Sequence, residues 1–312
     1  MRIVTAEELS RILDYRALVE ALDEAFRADI AVPVRHHHTI PQPGTDATLL
    51  LMPAWTQSGR RFIGCKVVTV FPDNAEAKRP SVHGQYLLMS GDTGEPLALI
   101  EGRMLTALRT ACASALAARY LAREDASHLV MIGAGALAPH LVRAHAAVRP
   151  IRRVTVWNRT NARAVALGFA LAEQGFVVDV SDDLAVVRDA DIVSCATLSR
   201  EPLVRGGWLT AGTHVDLVGG FTPAMREADD EALRRARVFV DTRDGALKEA
   251  GDLVDPLARG VIKEGDVRGD LFDLCRGRSA GRETREEITL FKSVGTAIED
   301  LAAAVLAWNS LS

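Results

Sequence analysis

The sequence is most informative first in what it withholds. Its four cysteines, Cys65, Cys112, Cys195 and Cys275, form no C-x-x-C pair, so neither a zinc knuckle nor a redox dithiol is indicated and reduced thiols are expected. Charge is nearly balanced, 37 Lys+Arg against 41 Asp+Glu for a net of −4, which gives no electrostatic reason to expect nucleic acid as a partner. No apolar run approaches the roughly 20 residues of a membrane span. Glu7, Glu8, Asp14 and Glu20 interrupt any secretory leader, so a cytoplasmic chain is expected. Internal repeats and low-complexity segments are missing too. His36-His37-His38 is the one metal-like run, but consecutive strand residues point to alternating faces and no acid or cysteine cluster accompanies them, so no metal site is expected.

What remains is the balance of a globular enzyme, 48% hydrophobic and 25% charged over 312 residues, long enough for two domains. Thr5-Ala6-Glu7-Glu8 reads as a capping box ahead of two short helices that part near Asp14-Tyr15. From about 33 to 100 the pattern is one of strands (Ala47–Pro53, Phe62–Phe71, Gln85–Met89, Leu97–Ile100), with a hairpin turn at Ser90-Gly91-Asp92-Thr93-Gly94. A helix over Arg103–Ala122 follows, with Leu105, Leu108, Cys112, Leu116 and Tyr120 along one side. Beyond residue 124 short apolar strands alternate with helices: His128–Ile132, Arg153–Trp157, Val177–Val180, Ile192–Ala196, Val215–Val218 and Val238–Val240 are the strands. That alternation predicts a parallel sheet covered on both faces. A long amphipathic helix over Gly295–Trp308 closes the chain.

The first of those later strands runs into Gly133-Ala134-Gly135-Ala136-Leu137-Ala138, which opens a helix. In that setting G-x-G-x-x-A has a mechanism. Gly133 allows the tight turn, Gly135 lets the backbone approach a pyrophosphate, and Ala138 keeps helix and strand close. The helix N-terminus offers free amides and a positive dipole to the phosphates. At the end of the next strand an NAD enzyme usually carries an acid for the ribose hydroxyls. Here Trp157-Asn158-Arg159-Thr160 stands instead, with Arg159 placed to pair with a 2′-phosphate, so NADP(H) is favoured and NAD(H) stays open.

Several segments in order along the whole chain resemble the ornithine cyclodeaminase/mu-crystallin family. They are Gly64-Cys65-Lys66-Val67-Val68, Leu105-Thr106-Ala107-Leu108-Arg109-Thr110-Ala111, the glycine turn, Trp157–Thr160, and Phe291-Lys292-Ser293-Val294-Gly295-Thr296-Ala297-Ile298-Glu299-Asp300. The resemblance implies an α/β protein with a Rossmann-type NAD(P)-binding domain, expected over 124–292. It also implies an α+β substrate and dimerisation domain built from 1–123 and the returning 293–312. The implied substrate is an α-amino acid or its imine, with hydride transfer at Cα, and the implied assembly is a homodimer. Carried over by motif, Arg35, Lys66 and Arg109 are the expected grip on a substrate carboxylate, and Arg109 is also a cofactor contact. Ser81, Thr110 and Ser293 match positions facing the cofactor. Ala136, Leu137, Ala196, Thr197, Val218 and Gly219 join Gly133, Gly135, Asn158, Arg159 and Thr160 as expected cofactor contacts.

One segment departs from the cyclodeaminases. Where they carry a carboxylate after a glycine pair and a lysine four residues on, this chain reads Gly219-Gly220-Phe221-Thr222-Pro223-Ala224-Met225, with Phe221 for the acid and Met225 for the lysine. A phenyl ring exchanges no protons, so cyclisation of a diamino acid loses its support. Reduction of a cyclic imino acid survives, with Phe221 as an apolar wall. Gly219–Glu227 and Pro80-Ser81-Val82-His83 are similar to the Δ1-pyrroline-2-carboxylate reductases of the family. Lys66 is the first expected proton donor and His83 the second. The alternatives are ornithine cyclodeaminase or an amino-acid dehydrogenase, and, in another class, a non-catalytic mu-crystallin-like binding protein.

Overall fold

The computed structural model describes residues 1–75 and 79–311. The chain divides into two compact units, residues 1–109 with 296–312 and residues 110–295. The sequence rhythm changes only after residue 123, whereas the division falls inside one helix. A continuous helix presents no loop or composition shift at which a reader of the sequence would place a boundary.

In the first unit β1 (Arg2–Val4) leads into α1 (Ala6–Ile12) and α2 (Tyr15–Arg27). The capping box forms as read: Thr5 Oγ1 accepts from the Glu8 N–H at 3.2 Å and Glu8 Oε2 accepts from the Thr5 N–H at 3.0 Å. Asp14 caps α2 by accepting from the Ala17 N–H at 3.0 Å, which is why the two helices part there. Then come β2 (Ile30–Ala31), β3 (His36–Ile40), β4 (Ala47–Thr56), β5 (Phe62–Val70), β6 (Val82–Ser90) and β7 (Pro96–Glu101). They form a seven-stranded sheet in the order β1-β7-β6-β5-β4-β2, with β3 also pairing β4; only β1 and β7 run parallel. The C-terminal helix, Ala297–Ser310, packs against β4, β5, β6 and α2, and the buried stripe Leu18, Val19, Leu22 and Phe26 of α2 completes that core.

Helix α3 (Gly102–Leu121) carries the chain onward. From Ala111 to Ala118 it is buried on every side rather than along the single stripe expected from its larger residues, because alanines fill the remaining faces. The second unit continues with β8 (His128–Ile132), α4 (Ala138–Val148), β9 (Arg153–Trp157), α5 (Asn161–Ala172), β10 (Val177–Ser181), β11 (Ile192–Cys195) and β12 (His214–Leu217). After these come α6 (Asp230–Arg235), β13 (Arg237–Val240), α7 (Arg243–Glu249), α8 (Gly251–Ala258), β14 (Val267–Asp270), α9 (Leu271–Cys275) and β15 (Thr289–Lys292); the C-terminal helix is α10. All eight strands are parallel, in the order β10-β9-β8-β11-β12-β15-β13-β14. The series read from sequence ended at Val238–Val240. β14 and β15 extend it, and β15 enters between β12 and β13.

The first three strands of this sheet run one way from β8, and β11 then adds to its other side. The strand order reverses between β8 and β11, and in open parallel sheets ligands bind beyond the carboxyl ends of the strands at that point. No helix among the described residues is long and apolar enough to cross a membrane.

Candidate active site

Along β5 buried and open residues alternate, and Lys66 falls on the face that α10 covers. The Lys66 side chain is fully surrounded, at 3% exposure, as is Arg109 of α3 at 5%. Their charges are met by two carboxylates of α10, Glu299 and Asp300, both wholly buried. Lys66 Nζ donates to Asp300 Oδ1 at 3.0 Å and lies 2.8 Å from Oδ2. Arg109 donates from Nε to the same Oδ1 at 2.9 Å and from Nη1 to Glu299 Oε2 at 2.5 Å. Its Nη2 makes no hydrogen bond to a described residue.

Buried charges survive only when paired, and these four are. Burial lowers the Lys66 ammonium to about 8, Arg109 adds to the fall, and Asp300 and Glu299 resist it. Burial would lower the Arg109 guanidinium as well, but Asp300 and Glu299 outweigh it and hold the group above its usual range. Tyr86 pairs with Lys66 across β5 and β6. It is fully buried, its hydroxyl has no hydrogen-bond partner among the described residues, and burial keeps the phenol protonated well above its usual value. A Cβ at Gly64 would sit 1.8 Å from that hydroxyl, so only glycine leaves it room.

The other residues expected in the first unit do not all gather here. His83 pairs with Thr69 and Lys66 with Tyr86, an odd offset that puts the two expected proton donors on opposite faces of the sheet. His83 instead borders a small hollow with Val67, Thr69, Gln85, Glu101 and Arg103. Arg35 is half-buried just ahead of β3, and Ser81, just ahead of β6, donates from Oγ to the Pro72 carbonyl at 3.4 Å.

In the second unit the glycine turn has the geometry its pattern requires. Gly133 adopts φ +103°, and a Cβ there would meet the Ala196 carbonyl at 2.6 Å. A Cβ at Gly135 would meet nothing within 4 Å, so the chain is open on the side where a phosphate would approach. The N–H groups of Gly135, Ala136 and Leu137 take no partner among the described residues, while Ala138 begins α4 two residues later than read. Three unpaired amides at a helix start are the donor set a pyrophosphate needs. Asn158 holds the turn, accepting from the Ala134 N–H at 3.0 Å and donating to the Thr160 carbonyl at 2.9 Å. Arg159 is exposed and makes no hydrogen bond or ion pair with a described residue. These features fit a dinucleotide.

The neighbouring strand ends are pinned by carboxylates that sequence reasoning passed over. Glu227 Oε1 accepts from the Thr197 N–H at 2.7 Å and its hydroxyl at 2.9 Å, and Oε2 accepts from the N–H groups of Gly219 at 2.7 Å and Gly220 at 3.3 Å. Asp252 accepts from the N–H groups of Glu227 and Ala228 at 2.7 and 3.0 Å. Buried Lys292 closes this group, 3.1 Å from Asp252 Oδ2 and 3.7 Å from Glu227 Oε2. Asp241 Oδ2 likewise accepts from the Val294 and Gly295 N–H groups, each at 2.7 Å, fixing the turn after Ser293. Ala196 and Val218 extend β11 and β12, hydrogen-bonded to Ile132 and Cys195. Thr110 is half-buried in α3, and Phe221, beside the pinned glycines, is 50% exposed.

The signal for Asp300 and Glu299 was two adjacent acids opening an otherwise apolar helix, a place where acids also serve the helix dipole. For Lys292 it was a lysine ending an apolar strand, the same signal that singled out Lys66.

Known proteins resemble the chain along nearly its whole length. The Delta(1)-pyrroline-2-carboxylate reductase of Colwellia psychrerythraea is 39% identical over 311 residues, covering 97% of each chain. A Thermococcus litoralis Delta(1)-pyrroline-2-carboxylate reductase, solved with NADH and L-proline, superposes with a TM-score of 0.92 at 34% identity, covering 99% of this chain and 97% of the other. An archaeal alanine dehydrogenase dimer with bound NAD superposes at 0.90 with 30% identity, covering 99% and 95%. The ornithine cyclodeaminase/mu-crystallin family model spans residues 2–312. With its glycine turn, its pinned strand ends and its Lys66–Arg109 pair in one chain, the protein belongs to the ornithine cyclodeaminase/mu-crystallin family.

Proposed function

We propose that this chain reduces a cyclic imino acid, Δ1-pyrroline-2-carboxylate or its one-methylene-larger homologue Δ1-piperideine-2-carboxylate, to the L-amino acid. The carrying observation is the buried pair of Lys66 and Arg109: an ammonium at about 8 beside a guanidinium with one free nitrogen. A substrate of this kind presents a carboxylate and a C=N nitrogen, and the pair offers one group for each. Arg109 Nη2 takes a carboxylate oxygen. The ring nitrogen takes its proton from Lys66 Nζ, because a protonated imine is the better hydride acceptor. Reduced nicotinamide dinucleotide, bound at the glycine turn, supplies the hydride. The C=N bond becomes C–N, and Lys66, left neutral, recovers its proton from solvent. Asn158 and Glu227 keep the turn and strand ends in place, and Phe221 contributes apolar surface where a cyclodeaminase needs an acid.

NADPH is the preferred donor in this reading, because Arg159 makes no hydrogen bond or ion pair with a described residue and the segment Trp157–Thr160 itself carries no acid to repel a 2′-phosphate. A kcat/KM favouring NADH by about tenfold, or roughly 1.4 kcal/mol, would overturn that preference. The protein acts in the cytoplasm as a homodimer in this reading; light scattering that gives a monomer mass in solution would sink the second point. The reaction itself is tested by following NADPH oxidation with each cyclic imine, L-ornithine with NAD serving as control. Turnover of an imine and no proline or ammonia from ornithine are expected. Inertness toward both imines would overturn the reading.

A further inference from the structure

Of the two carboxylates that α10 sends beneath the sheet, Asp300 alone touches both cations. Its Oδ1 receives Lys66 Nζ at 3.0 Å and Arg109 Nε at 2.9 Å, while of these two cations Glu299 is hydrogen-bonded to Arg109. Neither acid has any exposure, so their charges act on the two cations without screening by water. With Lys66 protonated the four groups sum to zero; once it gives up a proton they carry a buried −1. We propose that Asp300 is a positioning residue for the proton donor: it seats Lys66 and Arg109 on one carboxylate oxygen, so that the remaining ammonium N–H and the free Nη2 meet the nitrogen and carboxylate of a single imino acid.

The same contact sets how firmly Lys66 keeps its proton. The charged and titratable groups around it are Arg109 from α3, Asp300 and Glu299 from α10, and Tyr86 from β6; the Met52 it pairs with on β4 does not titrate. Arg109 drives the proton off and the two acids retain it, Asp300 more strongly than Glu299. Loss of the Asp300 charge therefore weakens the donor in a defined direction, which a purely architectural role would not do.

This inference rests on Lys66 being the proton donor, and the experiment separates the two. The pH profile of kcat/KM for NADPH-dependent reduction of Δ1-pyrroline-2-carboxylate is compared in wild type, Asp300→Asn, Glu299→Gln and Lys66→Met, with folding checked by circular dichroism. In wild type the rate should fall as pH rises through about 8, where Lys66 loses its proton. Asp300→Asn should move that fall downward by about 1–3 pH units, the usual effect of one contacting opposite charge, and Glu299→Gln by less in the same direction. A folded Asp300→Asn protein slowed by one factor at every pH overturns the inference. Should Asp300→Asn fail to fold, an unmoved profile in Glu299→Gln does so instead. If Lys66→Met turns over like wild type, the proton-donor reading fails and takes the inference with it; if Lys66→Met is inactive but the other two profiles stay put, the inference alone fails.

Discussion

Each unit buries one lysine among carboxylates, and the two lysines are tuned in opposite directions. Lys66 shares its two acids with Arg109, and burial together with that second cation draws it down to about 8. Lys292 is equally buried, so burial would lower it too, but it faces Asp252 and Glu227, which pair with no arginine among the described residues, and the acids hold it above its usual value. Burial likewise lifts the Glu227 carboxyl, Lys292 pulling against that and Asp252 adding to it. The difference lies in the count of cations per pair of acids. Two cations leave a lysine ready to part with its proton near neutral pH, and one cation leaves it locked. The locked cluster holds backbone: Glu227 accepts four hydrogen bonds from Thr197, Gly219 and Gly220. In the poised cluster the bonds of Lys66 Nζ and of Arg109 run instead from side chain to side chain, onto Asp300 and Glu299.

Exchanging either lysine for methionine separates chemistry from architecture. Lys66→Met should lower kcat/KM for the imine by about 10²–10⁴, the usual worth of a positioned proton donor, with NADPH affinity by fluorescence titration unchanged. Lys292→Met should instead cost about 3–5 kcal/mol of stability in a denaturant titration, because two buried carboxylates lose the ammonium that faces them both. A Lys292→Met protein as stable as wild type would dissolve the contrast. Glu227→Gln is milder. Whichever way the amide turns, its NH2 faces N–H donors, so a loss of about 1–3 kcal/mol is expected, with a raised KM for NADPH as the glycine pair loosens.

This contrast was half legible in the sequence. Lys66 drew notice because lysine is rarely buried without purpose, and the strand, turn and helix around Gly133 could be placed from apolar periodicity and glycine chemistry alone. Lys292 carried the same signal but ended a four-residue strand, too short for a pattern to register. The partners of Asp300 and Asp252 were hidden for a different reason. They lie 234 and 40 positions away in sequence, and no local spacing announces a contact made by a helix returning to a distant sheet. The pairing of His83 with Lys66 as alternative donors failed on parity, which a register fixes but a sequence without its register does not.

The two lysines should also leave opposite marks on stability as pH rises, and this is the smallest effect. Lys66 has a folded-state value near 8 against 10.5 for the exposed group, so between those values the unfolded chain holds a proton that the native protein has released. Native stability then gains with pH, by about 1 kcal/mol from pH 8 to pH 9 for one such site. Lys292 is held above 10.5, so it is charged in both states across that interval, contributes no slope there, and gives up stability only as pH climbs through its raised folded value. Denaturant midpoints at pH 8 and 9 should therefore show the gain in wild type and Lys292→Met and not in Lys66→Met. A gain of equal size in all three proteins would assign it to some other group and would remove the claim that Arg109 and burial together loosen the Lys66 proton.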